Sequence, residues 1–384
     1  MIQRSTHNTL ALLILCFLIA TSCSNGDSSG IVFKDGFASI PIDIDAPRQN
    51  LADFIESVEI IQLEETPNSL LGDVMEYEKV GDKLVLRNVN TNSVTQYTHE
   101  GEFLSSFSKV GNGPKEYSFI LSFWVEGESV FIYDSPNGRV QEYDIEGNFK
   151  SSTRIAHGAV GSIISRDGSF YLSTIRPIDG ENKYYALILD QNGEVEDMQI
   201  PYAHTKLIYI SWGYPDIRMA EDELIHHYVN NDTVYIQRDG QFEPYISFDF
   251  ADNWAWKGVE EIKSSGDYAQ VVRQRDKVSS VSPVISGRLI FSSYKLGGDM
   301  HSVLIDLKSG ESITLKDAYS NAFRPLEFED GKLVYSVDSD RISDLVGSLT
   351  SSQIEYRGGA SLESIESSEN PALVKIKFKE SSEW

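Results

Sequence analysis

Short runs of apolar, β-branched and aromatic residues recur along the chain: DKLVL at 82–86, ESVFI at 128–132, GSFYL at 168–172, DELIH at 222–226, GRLIF at 287–291 and GKLVY at 331–335. Each has the length and composition of a β-strand. After each of the first five comes a polar turn ending in glycine. These glycines stand at Gly101, Gly147, Gly193 and Gly240, spaced by 46, 46 and 47 residues, with a fifth, Gly310, 70 further on. SVTQYT before Gly101 and FLSSF after it have the alternation of hairpin strands. A unit of about 40–50 residues carrying four short strands predicts a propeller blade. Six such units predict an all-β fold, a six-bladed β-propeller with four-stranded blades. An extended solenoid would need polar caps at both ends, and none is visible.

The longer spacing of 70 predicts an insertion near 251–280, where Tyr268, Val271, Val272 and Arg275 suit a short helix. A second excursion is expected at 340–370. VEIIQLE (58–64) precedes the first unit and ALVKIKFK (372–379) ends an incomplete last one. Pairing them as neighbours closes the ring with an N-terminal strand in the last blade, which removes an aggregation-prone edge.

Composition adds an address. Arg4 precedes an unbroken apolar run from Leu10 to Ala20, shorter than the ~20 residues a spanning helix needs and suited to a signal-peptide core. Ala20-Thr21-Ser22-Cys23 resembles the bacterial lipobox, with Cys23 as the lipidated residue. Residues 1–22 are then a lipoprotein signal peptide, 23–40 a flexible tether and 41–384 a single propeller domain. Cys16 leaves with the leader, so the mature chain keeps one thiol and no internal disulfide is expected. With 33 Lys+Arg against 58 Asp+Glu and a net charge of -25, the surface repels a phosphate backbone, and nucleic acid is excluded as a partner.

SVFIYDSPNGRVQEYDIEGNF (129–149) is similar to an NHL repeat through Asp134, Asn137, Arg139, Val140, Tyr143 and Gly147. ESVEIIQLEE (56–65), GNGPKEY (111–117), NNDTVYIQRDGQFEPYISFDF (230–250) and ENPALVKIKF (369–378) together resemble the six-bladed β-propeller lipoproteins of Gram-negative bacteria. That resemblance implies an outer-membrane lipoprotein, periplasmic or surface-facing, of a kind met beside outer-membrane uptake proteins. It implies no particular activity.

Candidate chemistry gathers in the connections on the face where the channel opens. GNGPKEY offers Glu116 and Tyr117 to a ligand, or is a tight turn whose glycines take positive φ. SWGYPDIR contributes Trp212, Tyr214 and Arg218, NWAW contributes Trp254 and Trp256, and NAFRP contributes Arg324. Aromatics beside Arg suit sugar stacking or peptide anchoring, or else pack the loops onto the rim. No HExxH, paired CxxC or GxSxG motif is present. His226 and His227 are strand neighbours and point to opposite faces. With so many acids, no carboxylate pair stands out. The expectation is a cofactor-free binding or scaffold protein, attached to the membrane by its lipid, for a carbohydrate, a peptide or a neighbouring outer-membrane protein. The alternative is a hydrolase or lyase using channel carboxylates and Ca²⁺.

Overall fold

The computed structural model describes residues 30–155, 160–175, 184–201, 215–259, 262 and 264–384. Six antiparallel sheets follow one another along the chain as the blades of a propeller. Blade 1 comprises Val74–Val80, Lys83–Asn88, Ser93–Thr98 and Phe103–Phe107. Blades 2 to 5 repeat this four-strand meander, starting from innermost strands Ile120–Glu126, Val160–Arg166, Ile217–Ala220 and Val278–Ile285. Blade 6 is assembled from both ends of the domain. Phe323–Glu329, Lys332–Val337 and Ala372–Phe378 are joined by Ile55–Gln62, which pairs antiparallel with Ala372–Phe378 through Ile60↔Val374 and Val58↔Ile376. The ring closes as the sequence predicts, and all four of these residues are buried.

The six apolar runs are the second strands of the blades. They are nearly continuous rather than alternating because both blade faces are covered. Leu84 and Leu86 pack toward blade 6, with Leu373 and Val334, while Val85 packs toward blade 2, with Val130 and Phe123. The hydrophobic core is thus a series of layers between successive blades.

The periodic turn glycines all have positive φ, and at two of them close approach of the preceding strand adds a steric cause. Gly101 (φ 92°) turns the outer hairpin of blade 1 against the closing strand, where a Cβ would lie 2.0 Å from the Gln62 carbonyl oxygen. Gly193 (φ 82°) meets the Arg154 carbonyl of blade 2 in the same way, at 2.1 Å. Only a residue without a side chain lets the outer hairpin lean on the preceding blade.

One expectation is corrected. The segment read as tether up to residue 40 includes ordered strands: Phe37–Pro41 runs parallel to the outer strand of blade 4, with Val32–Lys34 beyond it. Ala38, Ile40 and Ile42 alternate into the core, a pattern masked in the sequence by the surrounding Gly, Asp and Pro. The four-stranded blades are present as expected, and added edge strands bring the sheets to between four and six strands. Gln49–Asn50 extends blade 5, and Ile354–Tyr356, from the second excursion, covers the closing strand of blade 6. These additions cover otherwise open outer edges. The first insertion contains the helix Ser265–Val272, capped by Ser264 and Asp267. Cys23 and the leader lie outside the described residues.

Candidate functional site

The innermost strands line a central channel, and their registers show which residues share a level. One residue near the end of each innermost strand pairs with the third residue of the second strand: Glu78↔Val85, Trp124↔Phe131, Ile164↔Tyr171, Arg218↔Ile225, Val284↔Phe291 and Glu327↔Val334. Five of these six positions line a cavity of about 330 Å³ to which all six innermost strands contribute; Trp124 is stacked instead on Phe131. Five of the innermost strands also carry a register shift, such as Met75–Glu76 opposite Arg87 and Leu326 between the pairs of Pro325 and Glu327. A bulge bends its strand and re-aims the side chains beside it.

The ring of equivalent positions is electrically lopsided. Glu78 and Glu327 stand on neighbouring blades, 1 and 6, while Arg218 is three blades from Glu78, donating to the carbonyls of Pro215 (2.9 Å) and Pro283 (2.5 Å). Burial raises Glu78 well above the usual carboxylate range, and the charges of Glu327 and Glu76 raise it further. Burial, then the charge of Glu329, pushes Glu327 up to about 7 against the pull of Tyr77 and Lys375. Glu76 is also raised by burial, although Arg87 donates to it at 2.9 Å.

Glu329 behaves oppositely. Burial would raise it, but Lys375 (2.8 and 2.9 Å), Lys79 (2.8 Å) and the Tyr77 hydroxyl hold it at about 2. The channel wall therefore holds Glu76, paired with Arg87, beside Glu78 and Glu327, which have no ion pair among the described residues, while Glu329 lies outside the cavity lining. Among the described residues, no three His, Cys, Asp or Glu side chains come together as a metal cage.

A family model for a domain of unknown function, DUF4934, matches residues 38–377. The chain belongs to the DUF4934 family. A Bacteroides fragilis protein, provisionally described as exported, is 16% identical over 89% of this chain and 99% of its own, with a TM-score of 0.70. A member of the DUF4221 family from Bacteroides vulgatus is 12% identical over 85% of this chain and 97% of its own, with a TM-score of 0.54. Both likenesses are of fold. No curated protein matches the sequence.

In this DUF4934 propeller, several of the residues expected to bind ligand make contacts within the fold. Tyr117 is 0% exposed, and its hydroxyl bonds the Asn92 carbonyl (2.8 Å) and the Lys109 amide (3.2 Å). Glu116 accepts from the Gly113 amide of its own loop at 2.8 Å. Arg139 and Gln141 clamp the Glu116 carbonyl at 2.7 and 2.8 Å. GNGPKEY is therefore a braced turn, and Arg139, the NHL-like arginine, is one of its braces.

Trp254 (8% exposed) stacks on Phe250, and Trp256 (3% exposed) donates to the Ser279 carbonyl at 2.7 Å beside Tyr268. Both belong to the core between blades 4 and 5, where burying large apolar rings outweighs presenting them to solvent. Arg324 is buried, 3.7 Å from Asp73. Trp212 and Tyr214 lie outside the described residues. Of the expected residues that are described, Arg218 lines the channel.

Sequence reasoning missed Glu78 and Glu327. A signal was present: counting back from DKLVL and GKLVY puts both at the same place in their inner strands.

Proposed function

We propose that this protein is a lipid-anchored cell-envelope propeller that binds a small organic ligand, or one side chain of a peptide, in its central channel. The observation that carries this reading is the cavity walled by every innermost strand and lined by Glu78 and Glu327, two carboxyl groups without an ion pair among the described residues. Burying carboxylates without a cation costs stability, and such groups gather where a protein binds or reacts. The lipobox-like sequence ending at Cys23 and the exported description of the Bacteroides fragilis neighbour support an envelope location. The resemblance to outer-membrane propeller lipoproteins supports attachment to that membrane, near uptake proteins.

Two measurements test the reading. Thermal shift of the purified protein against glycans, peptides, amines and divalent ions should find compounds that raise Tm by mass action. Their effect should weaken in Arg218→Ala or Glu78→Gln, which change the channel wall. Hits whose effect is untouched by both variants would move the site elsewhere, and glycan turnover abolished by a chelator would promote a hydrolase or lyase using the same carboxylates. Cys23→Ser should abolish incorporation of labelled palmitate; retained label would remove the anchor.

A further inference from the structure

Glu78 is half-buried and lines the channel cavity, yet it has no hydrogen bond or ion pair to any described residue. Every cationic group near it is engaged elsewhere. Arg87 holds Glu76 and the carbonyls of Ile120 and Leu121, while Lys79 and Lys375 hold Glu329. Arg218 is bound to two proline carbonyls on the far side of the ring. Glu221, at the lower rim, adds negative charge. Glu327, beside Glu78 on the adjoining blade, shares only the Tyr77 hydroxyl and the more distant charge of Lys375. Two adjacent carboxylates in a low-dielectric cavity repel each other, and that repulsion is relieved by a proton or by a cation. Beside these polar groups the wall carries apolar side chains, Phe123, Ile163, Ile164, Ile217, Val284 and Phe328.

We propose that the channel takes an organic cation, a primary ammonium or guanidinium group on an apolar body, with its charge seated between Glu78 and Glu327. This rests on the reading of the channel as the binding site and names its ligand class. The cation replaces protons that the pair otherwise retains near neutral pH, so binding releases protons and strengthens as pH rises through 7. The apolar body removes the Phe and Ile side chains from water. The net charge of -25 adds a long-range attraction for cations.

The test uses the purified protein with hexylamine, benzylamine and agmatine, and with hexanol and benzyl alcohol as neutral matches. Thermal shift and titration calorimetry at pH 6 and pH 8, in two buffers of different ionisation enthalpy, should show the amines binding at least tenfold more tightly than the alcohols. Affinity should be higher at pH 8, with protons released to buffer. Glu78→Gln and Glu327→Gln, which keep shape and remove charge, should each weaken the amines about tenfold. Glu128→Gln, on an exposed turn of blade 2, makes the same change in net charge off the channel and should leave binding as it was. The unliganded Tm of each variant shows that it folds.

Equal response to amines and alcohols, or amine binding that survives Glu78→Gln, would overturn the cation assignment. A neutral glycan whose binding is lost in Arg218→Ala would overturn it while keeping the channel as the site. Silence from every probe, glycans and peptides included, would overturn both.

Discussion

The GNGPKEY loop and the inner strand Val74–Val80 differ in a way that bears on function. The loop is conspicuous in sequence, with glycines, proline, an acid and a tyrosine in seven residues, and its polar groups are answered by the surrounding fold: Glu116 by Gly113, Tyr117 by Asn92 and Lys109, the loop carbonyls by Arg139, Gln141 and Tyr143. The strand is ordinary in sequence, yet it aims Glu78 into a cavity without a partner. Buried polar groups are normally paired, so a rich motif whose groups are taken up by its neighbours is architecture. A plain segment that leaves one group unanswered is the better candidate for a site.

The comparison can be broken or sharpened by substitution. The largest effect is expected from Trp256→Ala in the packed connection before blade 5. Loss of a buried ring and its hydrogen bond should cost about 3–5 kcal/mol in denaturant unfolding, with channel affinity unchanged in the fraction that remains folded. Weakened binding without destabilisation would return the NWAW aromatics to the site.

Next is Glu327→Gln. The folded pKa of Glu327, about 7, lies above its unfolded value of 4.5, so between these values the folded state holds more protons and stability falls as pH rises. Removing the charge should therefore stabilise the protein at pH 8 by roughly 2 kcal/mol and have little effect at pH 4. His226 and His227, held by burial at about 3, act in the opposite sense below 6.5. The readable quantity is accordingly the difference between variant and parent, and a difference that does not grow with pH would mean Glu327 is already neutralised.

Tyr117→Phe should cost about 1–2 kcal/mol, because the Asn92 carbonyl loses a donor in a buried place, and should not alter ligand binding. Altered binding at unchanged Tm would make the loop part of the site after all. Least is expected of Asp73→Asn, which faces Arg324 from an exposed position. Its effect on Tm should correspond to about 0.5 kcal/mol or less.

Much of the architecture was legible in the chain. The blade count and the closing strands follow from apolar runs and turn glycines, local features with a direct steric or hydrophobic cause. The short helix in the first insertion was legible too, since Tyr268, Val271 and Val272 have helical spacing. The early strand Phe37–Pro41 was not, because the three buried positions Ala38, Ile40 and Ile42 give too short an alternation to separate strand from linker until blade 4 supplies the surface they cover. The roles of Trp254 and Trp256 were open for a related reason: an aromatic in a loop has the same sequence signature whether it faces a ligand or caps a core.

By itself, then, the sequence determined a closed ring of six sheet units, because strand formation, hairpin turning and burial of apolar faces are decided within some 40–50 residues and by the need to pair the ends. Only the tertiary structure decided which of the many acids matter. Glu78 and Glu327 lie near opposite ends of the domain and become neighbours when the ring closes and strand bulges aim the inner side chains. Whether a carboxylate is solvated, paired or left facing an empty lumen depends on what surrounds it in space.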